Sequence, residues 1–288
     1  MTRSLRLFVL SLCALMLSAS LPAVAQTPKP SSAAQNAAVE RPVAALNSVW
    51  LEELTWMEVR DALASGTTTI IIATGGIEQN GPYLALGKHN YVLNQACAAI
   101  ARKLGDALCA PILKFVPEGD IDEPSGHMRY PGTISMREDT YRAILRDMAM
   151  SLEAHGFTRI VFIGDSGGNQ KGMEAVAEEM NARWSDARAY FVPEYYQSYF
   201  EGFDLLRDRF GVEQPVDEGI HDDIVITTQM MAGDPETVRY RQRLQAGKAS
   251  INGVSIADLP AARSMGNAVL QHRVERTAAA IEAARKRS

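Results

Sequence analysis

The run Thr69-Ile70-Ile71-Ile72-Ala73 is β-branched and apolar almost throughout and stops at Gly75-Gly76. A short continuous apolar run bounded by glycine marks a strand buried on both faces, and such strands belong to parallel sheets covered by helices. Similar runs fall at 107–115, 159–163 and 189–192, and helical periodicity fills 56–64, 91–104, 137–155, 173–184 and most of 256–285. Strands alternating with helices predict an α/β fold with a mainly parallel sheet and helices on both faces. No internal repeat and no second composition regime divides the chain, so one domain is the economical reading.

The chain has 288 residues, is 47% hydrophobic and carries a net charge of −5. Basic residues are scattered without a stripe, which argues against nucleic acid or an anionic membrane as partner and leaves a small molecule. Arg3 and Arg6, the apolar run 7–17 and Ala23-Val24-Ala25 before Gln26 read as a secretory signal peptide, residues 1–25. Residues 26–45, rich in Pro, Ser, Ala and Gln, read as a flexible linker, and 46–288 as the folded domain. No later segment approaches ~20 uninterrupted apolar residues, so a periplasmic or secreted product without a membrane anchor is expected. Export would place Cys97 and Cys109 in an oxidising compartment. A disulfide between them is open, but spacing does not tell whether their Cα atoms lie within about 7 Å, and two small buried hydrophobes are the simpler reading.

Chemistry gathers at three places. The stretch from Gly75 to Asn90 follows the first strand and carries Glu78, Asn80, Tyr83 and His89 in a glycine-rich turn. Gly164-Asp165-Ser166-Gly167-Gly168-Asn169 follows another strand and precedes a helix, so both loops should reach the same sheet edge, where open α/β sheets bind ligands. Without further context the second loop reads as a glycine turn with Asp165 capping a helix. The third place is Asp217-Glu218-Gly219-Ile220-His221-Asp222-Asp223, where an imidazole beside carboxylates can take and return a proton near neutral pH.

These segments resemble the creatininase family. Glu78, Gln79, Gly81, Pro82, Leu84 and Leu86 keep its pattern Glu-Gln-His-Gly-Pro-His-Leu-Pro-Leu. Asn80 stands for the first His, Tyr83 for the second, and His89 for the Asp of a following Thr-Asp. His127-Met128-Arg129-Tyr130-Pro131-Gly132-Thr133 is similar to its His-x-x-Phe-Pro-Gly-Thr, and residues 164–169 to its Asn-Gly-His-Gly-Gly-Asn. Gly219-Ile220-His221 matches its Gly-Ile-His, with Asp222 and Asp223 before the position of its Glu. The resemblance implies a creatininase-like α/β domain, a homo-oligomer, and metal-dependent hydrolysis of a small amide or cyclic amide.

Because Asn80, Ser166 and Ile224 stand where the family has ligands, the expectation is one divalent ion, zinc or manganese, rather than two. The expected metal set is Glu78, His89, Asp165 and Asp222. His221, Asp223 and Ser166 are the candidate catalytic groups, and Asn80, Tyr83, His127 and Asn169 the candidate substrate contacts. The leading function is an exported hydrolase of a small amide, cyclic amide or lactone. Two others stand beside it: a metal-free ligand-binding protein on the same fold, and a hydrolase with Ser166 as nucleophile and a histidine base.

Overall fold

The computed structural model describes residues 39–287, so the proposed signal peptide and most of the proposed linker lie outside the described residues. Helix α1 (Trp56–Ala64) starts on a reciprocal cap in which the Thr55 side chain accepts from Glu58 N and Thr55 N donates to Glu58 Oε2 at 2.7 Å. Strand β1 (Thr69–Thr74) follows, buried along its whole length. Then come α2 (Lys88–Leu104), β2 (Ala107–Cys109), α3 (Glu138–Ala154), β3 (Arg159–Gly164), α4 (Gln170–Arg183) and β4 (Arg188–Phe191). All four strands pair in parallel in the order β2-β1-β3-β4, with Ile70 beside both Leu108 and Ile160.

Side chains along β1 alternate between two cores. Ile70 and Ile72 pack with Leu145 of α3 and Met173 and Val176 of α4. Ile71 and Ala73 pack on the other face with Leu93 and Ala96 of α2 and with Val274 and Ile281 of the last helix. That arrangement is the reason a continuous apolar run is needed: neither face of β1 meets water.

The chain continues through α5 (Glu194–Phe210), α6 (Ile224–Gly233), α7 (Tyr240–Gln245), a small hairpin of β5 (Ser250–Ile251) and β6 (Val254–Ser255), and α8 (Leu259–Arg285). Every residue of α6 from Ile224 to Met231 is buried. It packs so closely on α8 that a Cβ on Gly266 would lie 1.9 Å from the Thr228 carbonyl oxygen. Residues 41–288 form one compact unit, and no described helix is long and apolar enough to cross a membrane.

Two expectations change. The strand expected over 107–115 stops at Cys109: Ala110 N still donates to the Ile71 carbonyl, but the next inward donor is Leu113 N, to Ala73, so one extra residue bulges out at Pro111-Ile112 before the bridge of Thr74 with Leu113. Cys97 of α2 and Cys109 of β2 are joined in a disulfide, with Cα atoms 6.2 Å apart, instead of lying as two separate buried thiols. The bond closes a short loop and ties α2 to the sheet edge. Replacing both cysteines with alanine is expected to cost about 2–4 kcal/mol in urea unfolding, and an unchanged midpoint would show that the crosslink adds nothing to the packing already there.

Candidate active site at the sheet edge

The strand order reverses between β1 and β3, since the chain leaves β1 toward one edge and β3 toward the other. The crevice outside the carboxyl ends of two such strands is where an open α/β sheet holds its ligand. A cavity of about 450 Å³ lies here, lined by Glu78 and Lys88, Glu118 and His127, Ser166 and His221, with Tyr196 and Tyr199 on the wall from α5. That volume suits a small substrate.

Glu78 is the centre of the cavity floor and only 2% exposed. Its Oε1 accepts from His89 Nε2 at 2.7 Å and from Lys88 Nζ at 3.1 Å, and its Oε2 lies 3.2 Å from His127 Nε2. His89 Nδ1 meets Asp165 Oδ2 at 2.7 Å, and Asp165 Oδ1 accepts from Arg273 Nη2 at 2.5 Å. Lys88, Glu78, His89, Asp165 and Arg273 thus form a buried row of alternating charge drawn from α2, two loops and α8. Burial alone would push the Glu78 carboxyl up, but the hydrogen bond and charge of His89, then Lys88, hold it well below the usual range. Asp165 is likewise lowered, burial being outweighed first by Arg273 and then by His89. His89 is raised despite burial and the charge of Lys88, because both carboxylates bond to its ring.

Glu118, in the turn after Val116-Pro117, is 5% exposed and hydrogen-bonded to Glu78. Two carboxyl groups share a hydrogen bond only when one carries a proton. Burial first and the Glu78 charge second push Glu118 up to about 9, so that proton sits on Glu118. Its Oε1 has no protein partner. The close approach depends on Gly76, where a Cβ would lie 2.3 Å from Glu118 Oε1.

Glu78, His127 and His221 form the one group of metal-type donors among the described residues, with ligand atoms all within 4.8 Å of one another. His221 Nδ1 donates to the Gln79 carbonyl at 3.0 Å, which leaves the lone pair on Nε2. One carboxylate and two imidazoles match the count of a catalytic zinc centre that keeps an open position. The residues fit one ion there. A second is another matter, because His89 spends both ring nitrogens between Glu78 and Asp165.

The other sequence candidates fall around this centre. Ser166 lines the cavity, but its Oγ accepts only from Gly168 N at 3.4 Å and no described histidine nitrogen bonds to it. Asp223 accepts from Ile226 N as the cap of α6 and also from the Tyr199 hydroxyl. Asp222 is buried away from the cavity lining, where burial, partly offset by Arg243, raises it to about 7. Asn80 turns inward and donates to the carbonyls of Glu78 and Ala85. Asn169 donates to Thr74 Oγ1 at 2.8 Å and to the Gly75 carbonyl, tying the two strand ends together. Tyr83 lies under the Arg243 guanidinium at 4.1 Å. Lys88, Glu118 and Arg273 were not anticipated from sequence; an arginine among Val269, Val274 and Ala278 on a helix face was the one available signal.

The raised Glu118 makes a prediction for protein stripped of metal by chelation. An acid whose folded-state pKa of about 9 lies above its ordinary value of 4.5 binds its proton more tightly in the folded chain, so stability falls as pH rises through that window. Glu118→Gln keeps a donor to Glu78 and cannot ionise. It is expected to raise stability at pH 8 by at least about 1 kcal/mol, the worth of a one-unit shift, and to give no gain at pH 4; equal gains at both would contradict the assignment.

The family model described as creatinine amidohydrolase matches residues 52–282. The chain is 23% identical over 197 residues to a creatinine amidohydrolase of Pseudomonas putida, covering 66% of this chain and 74% of that one. It is 27% identical over 127 residues to a mycofactocin precursor peptide peptidase of Mycobacterium ulcerans (strain Agy99), of which it spans 50%. Solved structures of a mutant creatininase described as Zn-Zn type and of a creatininase described as Mn superpose with TM-scores of 0.61 and 0.62, at 21% and 20% identity, each over 82% of this chain and 98% of the other. With its sheet order, its site at the strand reversal and a family match along most of its length, the chain belongs to the creatininase family of metal-dependent amidohydrolases.

Proposed function

We propose that this protein hydrolyses a small amide, cyclic amide or lactone with one divalent ion, zinc or manganese, held by Glu78, His127 and His221. The convergence of those three side chains over the cavity floor carries the reading. The matched relatives are named for amide or peptide hydrolysis, and solved relatives are described with Zn and Mn. An ion in such a site lowers the pKa of its water toward about 7 and polarises a carbonyl.

The chain's own groups supply the rest. Glu118 shares a proton with Glu78 and lines the cavity, a placement suited to passing a proton to a departing nitrogen or oxygen. Tyr196 and Tyr199 line the wall from α5, and the cavity volume of about 450 Å³ suits a small molecule. The nucleophilic-serine alternative loses ground because Ser166 has no bonded histidine and His89 has no free ring nitrogen to serve it. Residues 1–25, read as a signal peptide, and the Cys97–Cys109 disulfide together support an exported enzyme of the periplasm or the extracellular space.

The test uses untagged mature protein, elemental analysis and a panel of small amides and lactones. Near-stoichiometric metal is expected in the wild type, with Glu78→Gln, His127→Ala and His221→Ala each losing the metal and roughly 10²-fold or more of the activity. Activity that survives chelation but vanishes in Ser166→Ala would replace this reading with the serine mechanism.

A further inference from the structure

Lys88 is 5% exposed yet sits at the floor of the cavity, at the first position of α2. Both features are costly for an ammonium: burial removes its hydration, and the amino end of a helix repels positive charge. His89 follows it with the same handicap. Among the described residues, Lys88 Nζ pairs with Glu78 Oε1 at 3.1 Å. An ammonium has three donors, so hydrogens remain for whatever enters the cavity.

The neighbouring carboxylates are occupied in the same manner. His89 lies between Glu78 and Asp165 at 2.7 Å from each, and the fully buried Arg273 holds the other oxygen of Asp165 at 2.5 Å. Arg273 is itself fixed by Gln229 Oε1 and the Tyr195 carbonyl, and its guanidinium lies 4.1 Å over the Tyr195 ring. One relative is described as Zn-Zn type. In this chain Asp165 is neutralised by Arg273 and His89, cations that belong to the protein.

We propose that Lys88 is a catalytic group of this site: its ammonium, fixed by Glu78, supplies the positive charge that a second ion supplies in a two-metal relative, while His89 and Arg273 hold the carboxylates such an ion would need. Lys88 donates a hydrogen bond to the substrate carbonyl oxygen and stabilises the negative charge that develops on it when water adds; it transfers no proton and forms no bond to the substrate. The inference rests on the one-ion reading of Glu78, His127 and His221.

Titration calorimetry with zinc alone tests it on chelator-stripped wild type, Lys88→Met and Lys88→Thr, the last being the residue the family pattern carries before its Asp. Thermal melting establishes that each variant is folded. The wild type is expected to take one ion. Removing a positive charge a few ångströms away is expected to tighten zinc binding roughly tenfold or more in either variant, while hydrolysis by the zinc-loaded enzyme falls. Because the charge acts on zinc whatever its role, the catalytic role is read from kcat: a folded, zinc-loaded variant with unchanged kcat, or one whose zinc affinity is unchanged or weaker, overturns the proposal. Two ions in the wild type also overturn it, whatever the variants do, and remove the single-ion count from the proposed function while leaving its metal-dependent hydrolysis standing. No zinc in the wild type instead overturns the one-ion reading beneath it.

Discussion

The buried row Lys88, Glu78, His89, Asp165, Arg273 is the interaction on which the rest of the site depends. Five ionisable groups far from water are tolerable only if each charge meets its opposite, because an isolated buried ion costs several kcal/mol and removing one partner of a buried pair typically costs about 3–5 kcal/mol. The row therefore fixes more than local geometry. It pulls the start of α2 against β1, sets the loop after β3, and locks α8 to a residue 108 positions earlier in the chain.

The fold makes that convergence natural. Parallel strands deliver Glu78 and Asp165 to one edge, and the strand reversal opens a crevice between them. The amino end of α2 then presents Lys88 and His89 to both acids. His127 and His221 arrive with ring centroids 4.5 Å apart, His127 Nε2 3.2 Å from Oε2 of Glu78 and His221 Nδ1 3.6 Å from its Oε1. The same carboxylate thus serves both the protein's cations and a donor set for an ion. A family built on metal-assisted hydrolysis has here a member whose own side chains carry part of the positive charge.

Much of this was legible in the sequence. The β-branched run at 69–73 and the similar apolar run at 159–163 located the two central strands, and the glycines after them located the loops. Glu78, His89, Asp165, Ser166, His127 and His221 all meet at the cavity. What stayed hidden has physical reasons. Helix α6 is buried on all sides and shows no periodicity, and α5 mixes aromatic and charged residues around Gly202, whose Cβ would lie 2.9 Å from Val225 Cγ1. Helix α2 starts at Lys88, three residues before the apolar pattern does, because its first turn faces acids instead of the core. Glu118 sits in a turn whose neighbours say nothing of burial, and its partnership with Glu78 exists only in three dimensions. Asn80, Tyr83 and Asn169 looked like substrate contacts because they stand in motif loops, yet their side chains bind backbone carbonyls or lie under an arginine.

The most direct measurement is anomalous diffraction at the zinc edge from crystals of the protein equilibrated with zinc. The account predicts a single peak per chain, bounded by Glu78, His127 and His221, with His89 still between Glu78 and Asp165. Two peaks, or one peak ligated by His89 or Asp165, would contradict it.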